Sequence, residues 1–410
     1  MISKLRDKAL FFFKDNKDSS FSFIFYGFGL MGMLLSDLYV SSNFSIQATA
    51  EWAFLKSTIL IVSTICLVGY DQLFVRDQTL IKRYFKFFLK YSFFIISTLL
   101  LIVFFLKSYT YDKIILLGCA VFLMAIQNYI SAASRANYRL WKAQFSANFW
   151  KLLLFITIIL IPEIDTIYYY VIVLLFTVSV GLFLGGVKKV SDKYASKEHL
   201  DDKTANNMGF SFLLHNLTLV LAIYGEQFLI NLFGAEVSSS HLFRYVAVFT
   251  PIALSLNGFL GFYLGPKIRI KNNMDLTKYK KFVLHIFFFS IAVVSVSFIF
   301  GLGYMTKILG VNWQDLDYFI IICLFGLTMV RGLYIATSVC LGVFGTKIYL
   351  KKAAIYTWFA TILYLIMISV VLFIYEGIIV AQLICLLTFV NWILRFTVSN
   401  IYTKKTLKIR

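Results

Sequence analysis

Charged side chains are scarce in this chain of 410 residues. Asp, Glu, Lys and Arg make up only 14% of it, whereas apolar residues make up 60%. Soluble domains average about 25% charged and about 45–50% apolar residues, so the composition excludes a soluble globular protein. Disordered and collagen-like chains are excluded by the same comparison, because both have a low apolar fraction.

Cysteine and histidine are also rare, with five and four residues respectively. The cysteines all lie in apolar segments, and no CxxC pair or Cys/His cluster has the spacing of metal ligands. These observations argue against a disulfide-stapled secreted module and against a zinc site. Because the histidines are dispersed, the sequence offers no hydrolytic triad. We therefore expect a protein that is not an enzyme and has no metal or cofactor.

Long apolar runs dominate the rest of the sequence. A membrane-spanning helix needs about 20 mostly apolar residues, and such runs recur along the whole chain. The pattern predicts an all-α polytopic membrane protein with about 12 transmembrane helices. The first run is longer than the signal-peptide h-region of about 7–15 residues, so it is kept as a span. The predicted spans are 21–40, 53–73, 91–106, 114–130, 145–161, 167–187, 209–233, 242–263, 282–302, 318–343, 353–375 and 378–401.

The positive charges predict the orientation in the membrane. The chain has 39 Lys and Arg against 20 Asp and Glu, a net charge of +19. Most of the cations lie in the two tails and in the loops after the even-numbered spans, and only Lys107, Lys113 and Lys307 lie in the opposite loops. Excess Lys and Arg mark the cytoplasmic side, so we expect both termini in the cytoplasm. The cations are scattered over short loops rather than gathered on one basic face, which argues against a nucleic-acid partner.

A polar stretch divides the predicted spans into two lobes of six helices each. The stretch 188–208 is predicted to be a cytoplasmic linker. It separates an N-terminal lobe at 21–187 from a C-terminal lobe at 209–401, with cytoplasmic tails at 1–20 and 402–410.

The two lobes share a weak internal repeat. When the first lobe is shifted so that Asp37 aligns with Glu226, Gly69 aligns with Gly258. Because six spans separate the copies, both run in the same direction through the membrane. Parallel repeats of this kind, related by a pseudo-two-fold axis along the membrane normal, are typical of transporters.

Charged residues inside the spans are the candidate functional residues. An ionised side chain at the bilayer centre costs at least about 2.5–3.5 kcal/mol, and such residues usually mark a pathway or binding site. Arg331 lies about midway along its span, so its guanidinium is expected to face an aqueous or anionic site. The candidate substrate-binding cations are Arg331, Arg244, Lys151, Arg395 and Lys56.

Two acids accompany these cations within the spans. We assign Glu226 and Asp37 to ion coupling or to charge pairing, Asp37 being placed to pair with Lys56. The excess of positive charge suits a phosphate-bearing substrate, because Arg binds two oxygens through its fork and Lys acts as a point charge. Polar residues that share helix faces are expected to line a cavity between the lobes, and they are His215, Thr218, Thr328, Tyr334 and Ser338.

Two segments resemble a known family. The chain reads EWAF at residues 51–54 and LVGYDQLFVR at residues 67–76, and its second half carries a partner that begins FGAE at residues 233–236. These segments resemble the second-span region of O-antigen and capsular polysaccharide unit flippases, a branch of the multidrug/oligosaccharidyl-lipid/polysaccharide exporter superfamily. The length, the span count and the two lobes extend the resemblance over the whole chain.

The resemblance implies a function in surface polysaccharide biosynthesis. Flippases of this family move an undecaprenyl-diphosphate-linked oligosaccharide from the inner to the outer leaflet of the bacterial inner membrane. The resemblance further implies a V-shaped, cation-lined cavity that opens to one side of the membrane and then to the other. The implied partners are the lipid-linked glycan, the bilayer, and a polysaccharide polymerase with its chain-length regulator.

Two alternatives stay open at this point. A multidrug or metabolite exporter of the same superfamily would have the same fold but a more acidic or more apolar pocket. A membrane polysaccharide polymerase would need a large outer loop with catalytic side chains. The longest predicted outer loop, around Gly303–Asp317, is short and contains no histidine.

Overall fold

The protein is an all-α membrane protein. A computed structural model describes residues 17–74, 77–107, 109–137, 139–161, 164–184, 200–255, 268 and 274–409. Within those ranges the regular structure is helical, without a β-strand. Eleven helices there are long and apolar enough to cross a membrane. The predicted fold class, a polytopic helical membrane protein with about 12 helices, is thus confirmed.

The helices follow the predicted spans closely. Up to residue 183 they are α1 (Lys17–Asn43), α2 (Ile46–Cys66), α3 (Tyr70–Leu73), α4 (Leu80–Arg83), α5 (Phe85–Leu106), α6 (Tyr111–Ala136), α7 (Leu140–Leu160) and α8 (Thr166–Phe183). The remaining helices are α9 (Asp202–Leu232), α10 (Glu236–Phe249), α11 (Leu276–Gly303), α12 (Tyr318–Phe344), α13 (Lys347–Ile374) and α14 (Ile378–Ile409).

The main differences from the predicted spans are at helix ends. The span predicted at 53–73 ends earlier, at Cys66, because Val68 and Gly69 adopt positive φ angles of 48° and 73°. Left-handed backbone conformation ends a helix, and glycine adopts it without steric cost. The predicted C-terminal tail continues α14 as helix to Ile409. The span predicted at 242–263 lies partly outside the described residues, as do most of the N-terminal tail and of the linker 188–208.

The chain forms two compact units. The first unit contains residues through Asp37 together with Phe54–Val220, and the second contains Leu38–Ala53 together with Leu221–Arg410. Helix α9 therefore begins in the first unit and ends in the second. The predicted lobe boundaries stay predictions, because much of the interval between them lies outside the described residues.

Each unit has a central helix. In the first unit α6 packs against α5, α7 and α8, and it buries a face rich in small residues, including Ala120, Ala125 and Ala133. Small residues allow close approach of membrane helices. In the second unit α14 packs against α10, α12 and α13.

Side chains at the helix starts explain where three of the membrane helices begin. Asp275, Asp317 and Thr346 precede α11, α12 and α13, and each accepts a hydrogen bond from the backbone N–H three residues later. Such N-caps satisfy a donor that the helix itself leaves unpaired. The hydrogen bond from the Lys278 N–H stabilises the ionised form of Asp275, and it therefore lowers the pKa of this carboxyl below its usual value.

The start of α9 is held by the segment between α2 and α5. Tyr70 donates a hydrogen bond to Asn206 Oδ1 at 2.5 Å, and Arg83 donates one to the Leu200 carbonyl at 2.7 Å. The Asp77 carboxylate accepts the Leu200 N–H at 2.9 Å. We call these contacts the α9 clasp. All of them lie within the first unit.

Candidate functional site

A buried carboxylate lies in the second unit. Glu226 on α9 is 5% exposed, and it is surrounded by hydroxyl groups from two other helices. Thr388 on α14 donates a hydrogen bond to its Oε2, and Tyr364 on α13 donates a second one at 3.3 Å. Tyr364 and Thr388 also share a hydrogen bond of 3.0 Å. The carboxylate is thus solvated by the protein instead of by water.

Arg331 on α12 is buried close to this carboxylate. Its side chain donates to the Ala222 carbonyl of α9 at 3.4 Å, and the charges of Arg331 and Glu226 lie near enough to attract each other. Arg331 Nε is buried and has no hydrogen-bond partner among the described residues. The guanidinium therefore keeps a donor that a further acceptor could use.

Trp392 on α14 contacts two guanidinium groups. The guanidinium carbon of Arg331 lies 4.7 Å from the centroid of the indole ring, and that of Arg395 lies 5.5 Å from it. Cation–π attraction holds cations over aromatic rings at such distances. The indole N–H donates to the Ala222 carbonyl at 3.2 Å, and Arg395 also donates to Thr361 at 2.9 Å.

These side chains form one polar cluster inside the membrane-spanning part of the second unit. We call Glu226, Arg331 and Arg395 the second-unit charge cluster. The three residues are 5%, 8% and 1% exposed, and they combine two positive charges with one negative charge. Such an arrangement can bind an anion without first removing the carboxylate.

A second cluster lies in the first unit. Asp37 on α1 forms an ion pair with Lys56 on α2. Lys151 on α7 is near enough to Lys56 for their charges to repel each other. Lys151 donates to Asn148 Oδ1 at 2.8 Å, and its amine lies 5.8 Å from the ring centroid of Trp150. We call Asp37, Lys56 and Lys151 the first-unit charge cluster.

The five predicted cations are thus distributed unevenly. Arg331 and Arg395 come together in one cluster, and Lys56 and Lys151 in the other. Arg244 on α10 is partly buried and belongs to neither cluster in the described part of the chain. Its Nε is buried and has no hydrogen-bond partner there. The sequence suggests two roles for Asp37, ion coupling and charge pairing, and the ion pair with Lys56 corresponds to the second of them.

The predicted cavity-lining residues have different surroundings. Thr328 and Ser338 donate hydrogen bonds to carbonyls of their own helix, at 2.7 Å and 3.2 Å, as hydroxyls in packed helices often do. The ring of Tyr334 contacts Trp392 edge-on at 5.5 Å, and Thr218 is buried on α9. The side chain of His215 lies outside the described residues.

Sequence reasoning missed several residues that contact the second-unit charge cluster. Trp392, Tyr364, Thr388 and Thr361 were not among the predicted site residues. One signal was present: Thr388, Trp392 and Arg395 follow each other at intervals of four and three residues, which places them on one helix face. Tyr364 and Thr361 share a face of α13 by the same rule.

The fold defines a multi-pass helical membrane protein. No group of three His, Cys, Asp or Glu side chains that could hold a metal ion occurs in the part of the chain that the structure describes. Comparisons with protein-family models, with curated proteins and with solved structures found no match for this chain.

Proposed function

We propose that the protein is a flippase for an undecaprenyl-diphosphate-linked oligosaccharide of a bacterial surface polysaccharide. It would move this unit from the inner to the outer leaflet of the inner membrane by alternating access, with both termini in the cytoplasm. The resemblance of residues 51–54 and 67–76 to polysaccharide unit flippases supports the proposal. So does the concentration of Lys and Arg in alternate loops, which favours a cytoplasmic location for the tails.

The observation that carries the proposal is the pair of buried guanidinium groups around Trp392. Burying Arg inside a membrane protein is costly, and Arg does not lose its proton to escape that cost. A planar fork that donates to two oxygens suits a phosphate group better than a sugar or an apolar drug. Arg331 and Arg395 therefore favour a substrate with an anionic head group.

The diphosphate would bind next to Arg331. In the absence of substrate Glu226 supplies the opposite charge, and Arg331 Nε keeps a donor for an incoming oxygen. Protonation of Glu226 or binding of an ion near it would then change how tightly the phosphate is held. The membrane potential assists, because outward movement of negative charge gains about 2.3 kcal/mol per charge per 100 mV.

The experiment that tests the proposal compares two substitutions at one position. Arg331→Ala removes the guanidinium, whereas Arg331→Lys keeps a positive charge without the fork. The readout is delivery of lipid-linked glycan to the outer leaflet at matched membrane abundance. We expect little transport by the first variant and partial transport by the second. Lys307→Ala changes an exposed residue in the short helical segment Tyr304–Ile308 that follows α11, and this variant should transport like the wild type.

Normal transport by both Arg331 variants would show that Arg331 does not bind the anionic head group. A deletion strain separates the remaining classes of function. Loss of surface glycan without altered drug sensitivity is expected of a flippase, whereas the reverse is expected of a drug exporter. Extension of a lipid-linked unit by the purified protein would identify a polymerase instead.

A further inference from the structure

The last turns of α14 meet the first turns of two other helices of the second unit. Tyr279 near the start of α11 donates a hydrogen bond to Asn400 Oδ1 at 2.8 Å, and Leu407 packs in the same buried cluster as Tyr279. The ring of Tyr402 lies 5.9 Å from that of Tyr349 near the start of α13. The three helix ends therefore lie together at one end of the unit, which the distribution of positive charge predicts to be cytoplasmic.

This end of the second unit is strongly basic. Helices α11 to α14 contain no Asp or Glu, and Asp275, which precedes α11, forms an ion pair with Lys278 at 3.6 Å. The lysines of α13 and α14 therefore have no acid on their own helices. The lysines of the three helix ends are Lys278, Lys280, Lys281, Lys347, Lys351, Lys352, Lys404, Lys405 and Lys408.

Cations between the helices of the first unit are paired with acids instead. Arg83 forms an ion pair with Asp202 at 3.2 Å, and Arg135 forms one with Asp71 at 3.8 Å. The cations that orient a membrane protein can thus be neutralised by acids nearby. Because α13 and α14 lack such acids, their positive charge remains available to an anionic partner.

Three tyrosines define one place on this basic end. The Tyr402 ring of α14 lies 5.9 Å from that of Tyr349 and stacks at 6.1 Å on that of Tyr356, both on α13. Tyr349, Lys352 and Tyr356 follow one another at intervals of three and four residues, so they share one face of α13. The ammonium of Lys405 lies 5.4 Å from the Tyr402 ring centroid. We call these five residues the α13–α14 basic face.

The basic face is open to the surroundings of the protein. Tyr356 is 53% exposed, and both Lys352 and Lys405 are exposed. Tyrosine and lysine side chains of this kind are typical of the head-group level of a bilayer, where the polar tip reaches water and the rest of the side chain lies against lipid.

The same face of α13 continues as an apolar strip. Phe359, Leu363 and Ile366 follow Tyr356 at intervals of three or four residues, so they extend its helix face further along the span. All three side chains are exposed. A basic region next to an exposed apolar strip matches a phospholipid, whose phosphate lies next to its acyl chains, better than it matches a soluble anion or an acidic peptide.

We infer that the α13–α14 basic face is a binding site for an acidic phospholipid of the membrane. The ammonium groups of Lys352 and Lys405 attract the head-group phosphate, and one acyl chain follows the apolar strip. Basic pockets between transmembrane helices on the cytoplasmic side bind acidic lipids in this way. The site is separate from the one proposed for the transported diphosphate, because Arg395 lies about 15 Å before Lys405 along α14.

Lipid selection in nanodiscs tests the inference. Full-length protein is inserted into nanodiscs of equal amounts of phosphatidylcholine and phosphatidylglycerol, and the lipids that stay bound are identified by native mass spectrometry. The wild type should retain phosphatidylglycerol in preference to phosphatidylcholine. Each lysine near an acidic membrane surface contributes about fivefold in affinity, so Lys352→Gln/Lys405→Gln should bind phosphatidylglycerol about 25-fold more weakly. Lys352→Arg/Lys405→Arg keeps both charges and should bind like the wild type.

The matched control is Lys351→Gln/Lys404→Gln. It removes two positive charges from the same helix ends, but each lysine follows a tyrosine by two residues and therefore lies on nearly the opposite side of its helix. This variant should keep the preference for phosphatidylglycerol. Equal loss in the control would mean that net charge alone attracts the lipid, and it would overturn the site. So would a wild type without a preference, or an unchanged preference in Lys352→Gln/Lys405→Gln.

Competition distinguishes a membrane phospholipid from the transported lipid. A short-chain isoprenyl diphosphate, added to the wild type at the concentration of phosphatidylglycerol, should leave phosphatidylglycerol bound to the basic face. Its displacement would assign the face to the transported lipid and overturn the inference. The flippase proposal is tested separately by transport in the Arg331 variants, so failure of either proposal leaves the other standing.

Discussion

At the scale of single residues, Trp392 is the side chain that positions both guanidinium groups of the second-unit charge cluster. Its ring faces attract the guanidinium groups of Arg331 and Arg395, and its N–H donates to Ala222. A tryptophan at this position therefore fixes two cations and one main-chain acceptor together. Phenylalanine would preserve the ring face but not the hydrogen bond.

Substitution of Trp392 should separate these two roles. We expect Trp392→Phe to keep partial transport, because cation–π contacts worth about 0.5–2 kcal/mol each remain in weaker form. Trp392→Leu should reduce transport much further, because both guanidinium groups then lose their aromatic contact and keep the hydrogen bonds to Ala222 and Thr361. The measurement is outer-leaflet delivery of lipid-linked glycan. Trp313→Leu is the matched control, since Trp313 is 57% exposed, and equal activity of all three variants would contradict the positioning role.

The ion pair of Asp37 with Lys56 permits a second test at this scale. Asp37→Asn removes the carboxylate that forms the ion pair with Lys56. Breaking a buried pair costs about 3–5 kcal/mol, so we expect a large loss of thermal stability. The double variant Asp37→Asn/Lys56→Met should recover much of it. Additive effects of the two substitutions in a double-mutant cycle would contradict direct coupling.

At the scale of secondary-structure elements, Asp317 joins three helices of the second unit. It caps α12, and its carboxylate also contacts His241 of α10 at 3.3 Å and accepts a hydrogen bond from Gln382 of α14 at 3.0 Å. Its own N–H donates to the Tyr245 hydroxyl at 2.8 Å. One short side chain thus fixes the ends of α10, α12 and α14 relative to each other.

Removal of this carboxylate should destabilise the second unit. An N-cap alone is worth about 0.5–2 kcal/mol, and Asp317→Ala also leaves Gln382 and His241 without their acceptor. We expect the unfolding temperature to fall by several degrees more than in Asp315→Ala, whose carboxylate lies on the exposed side of the same loop. Equal effects of the two substitutions would show that the cap is not coupled to its neighbours.

The backbone at Gly69 lies in close contact with α9, next to the α9 clasp. Gly69 has a φ of 73°, and a Cβ atom there would lie 2.2 Å from the Gly209 carbonyl oxygen and 2.5 Å from the Leu213 nitrogen, both within α9. Gly234 has a similar φ of 79°, but a Cβ atom there would have no neighbour within 4 Å. The two glycines therefore share the conformational requirement and differ in the space around them.

Alanine substitutions at these glycines should separate strain from overlap. Left-handed conformation costs a non-glycine residue about 1–2 kcal/mol, so Gly234→Ala should be mildly destabilising. Gly69→Ala adds a steric collision with the backbone of α9, and we expect a clearly larger fall in unfolding temperature and in membrane abundance. A smaller effect at Gly69 than at Gly234 would mean that α9 is not held closely by the clasp.

For the whole molecule, the distribution of Lys and Arg between alternate loops predicts the orientation in the membrane. Cysteine labelling tests this in a variant without the five native cysteines. A single cysteine at Glu376, in the turn before α14, should react with an impermeant maleimide in intact cells. A single cysteine at Lys351, near the start of α13, should react only after permeabilisation. The opposite pattern would reverse the predicted topology.

The sequence predicted the helices well because a membrane-spanning helix needs a long apolar run, and such runs are visible directly in the sequence. It singled out Asp37, Glu226 and Arg331 because charge inside a span is rare. It did not predict that Glu226 contacts Tyr364 and Thr388, or that Trp392 lies between two arginines. Those contacts depend on how α9, α12, α13 and α14 rotate against one another, and no local pattern encodes that rotation.

The Ala222 carbonyl accepts hydrogen bonds from both Arg331 and Trp392, two side chains on different helices. Sliding α9 along its axis by a single residue would take this oxygen away from both donors at once. The helix consequently has no gradual route between registers: it either keeps both bonds or exchanges them together for another carbonyl. Any displacement of α9 against α12 and α14 should therefore occur in discrete steps.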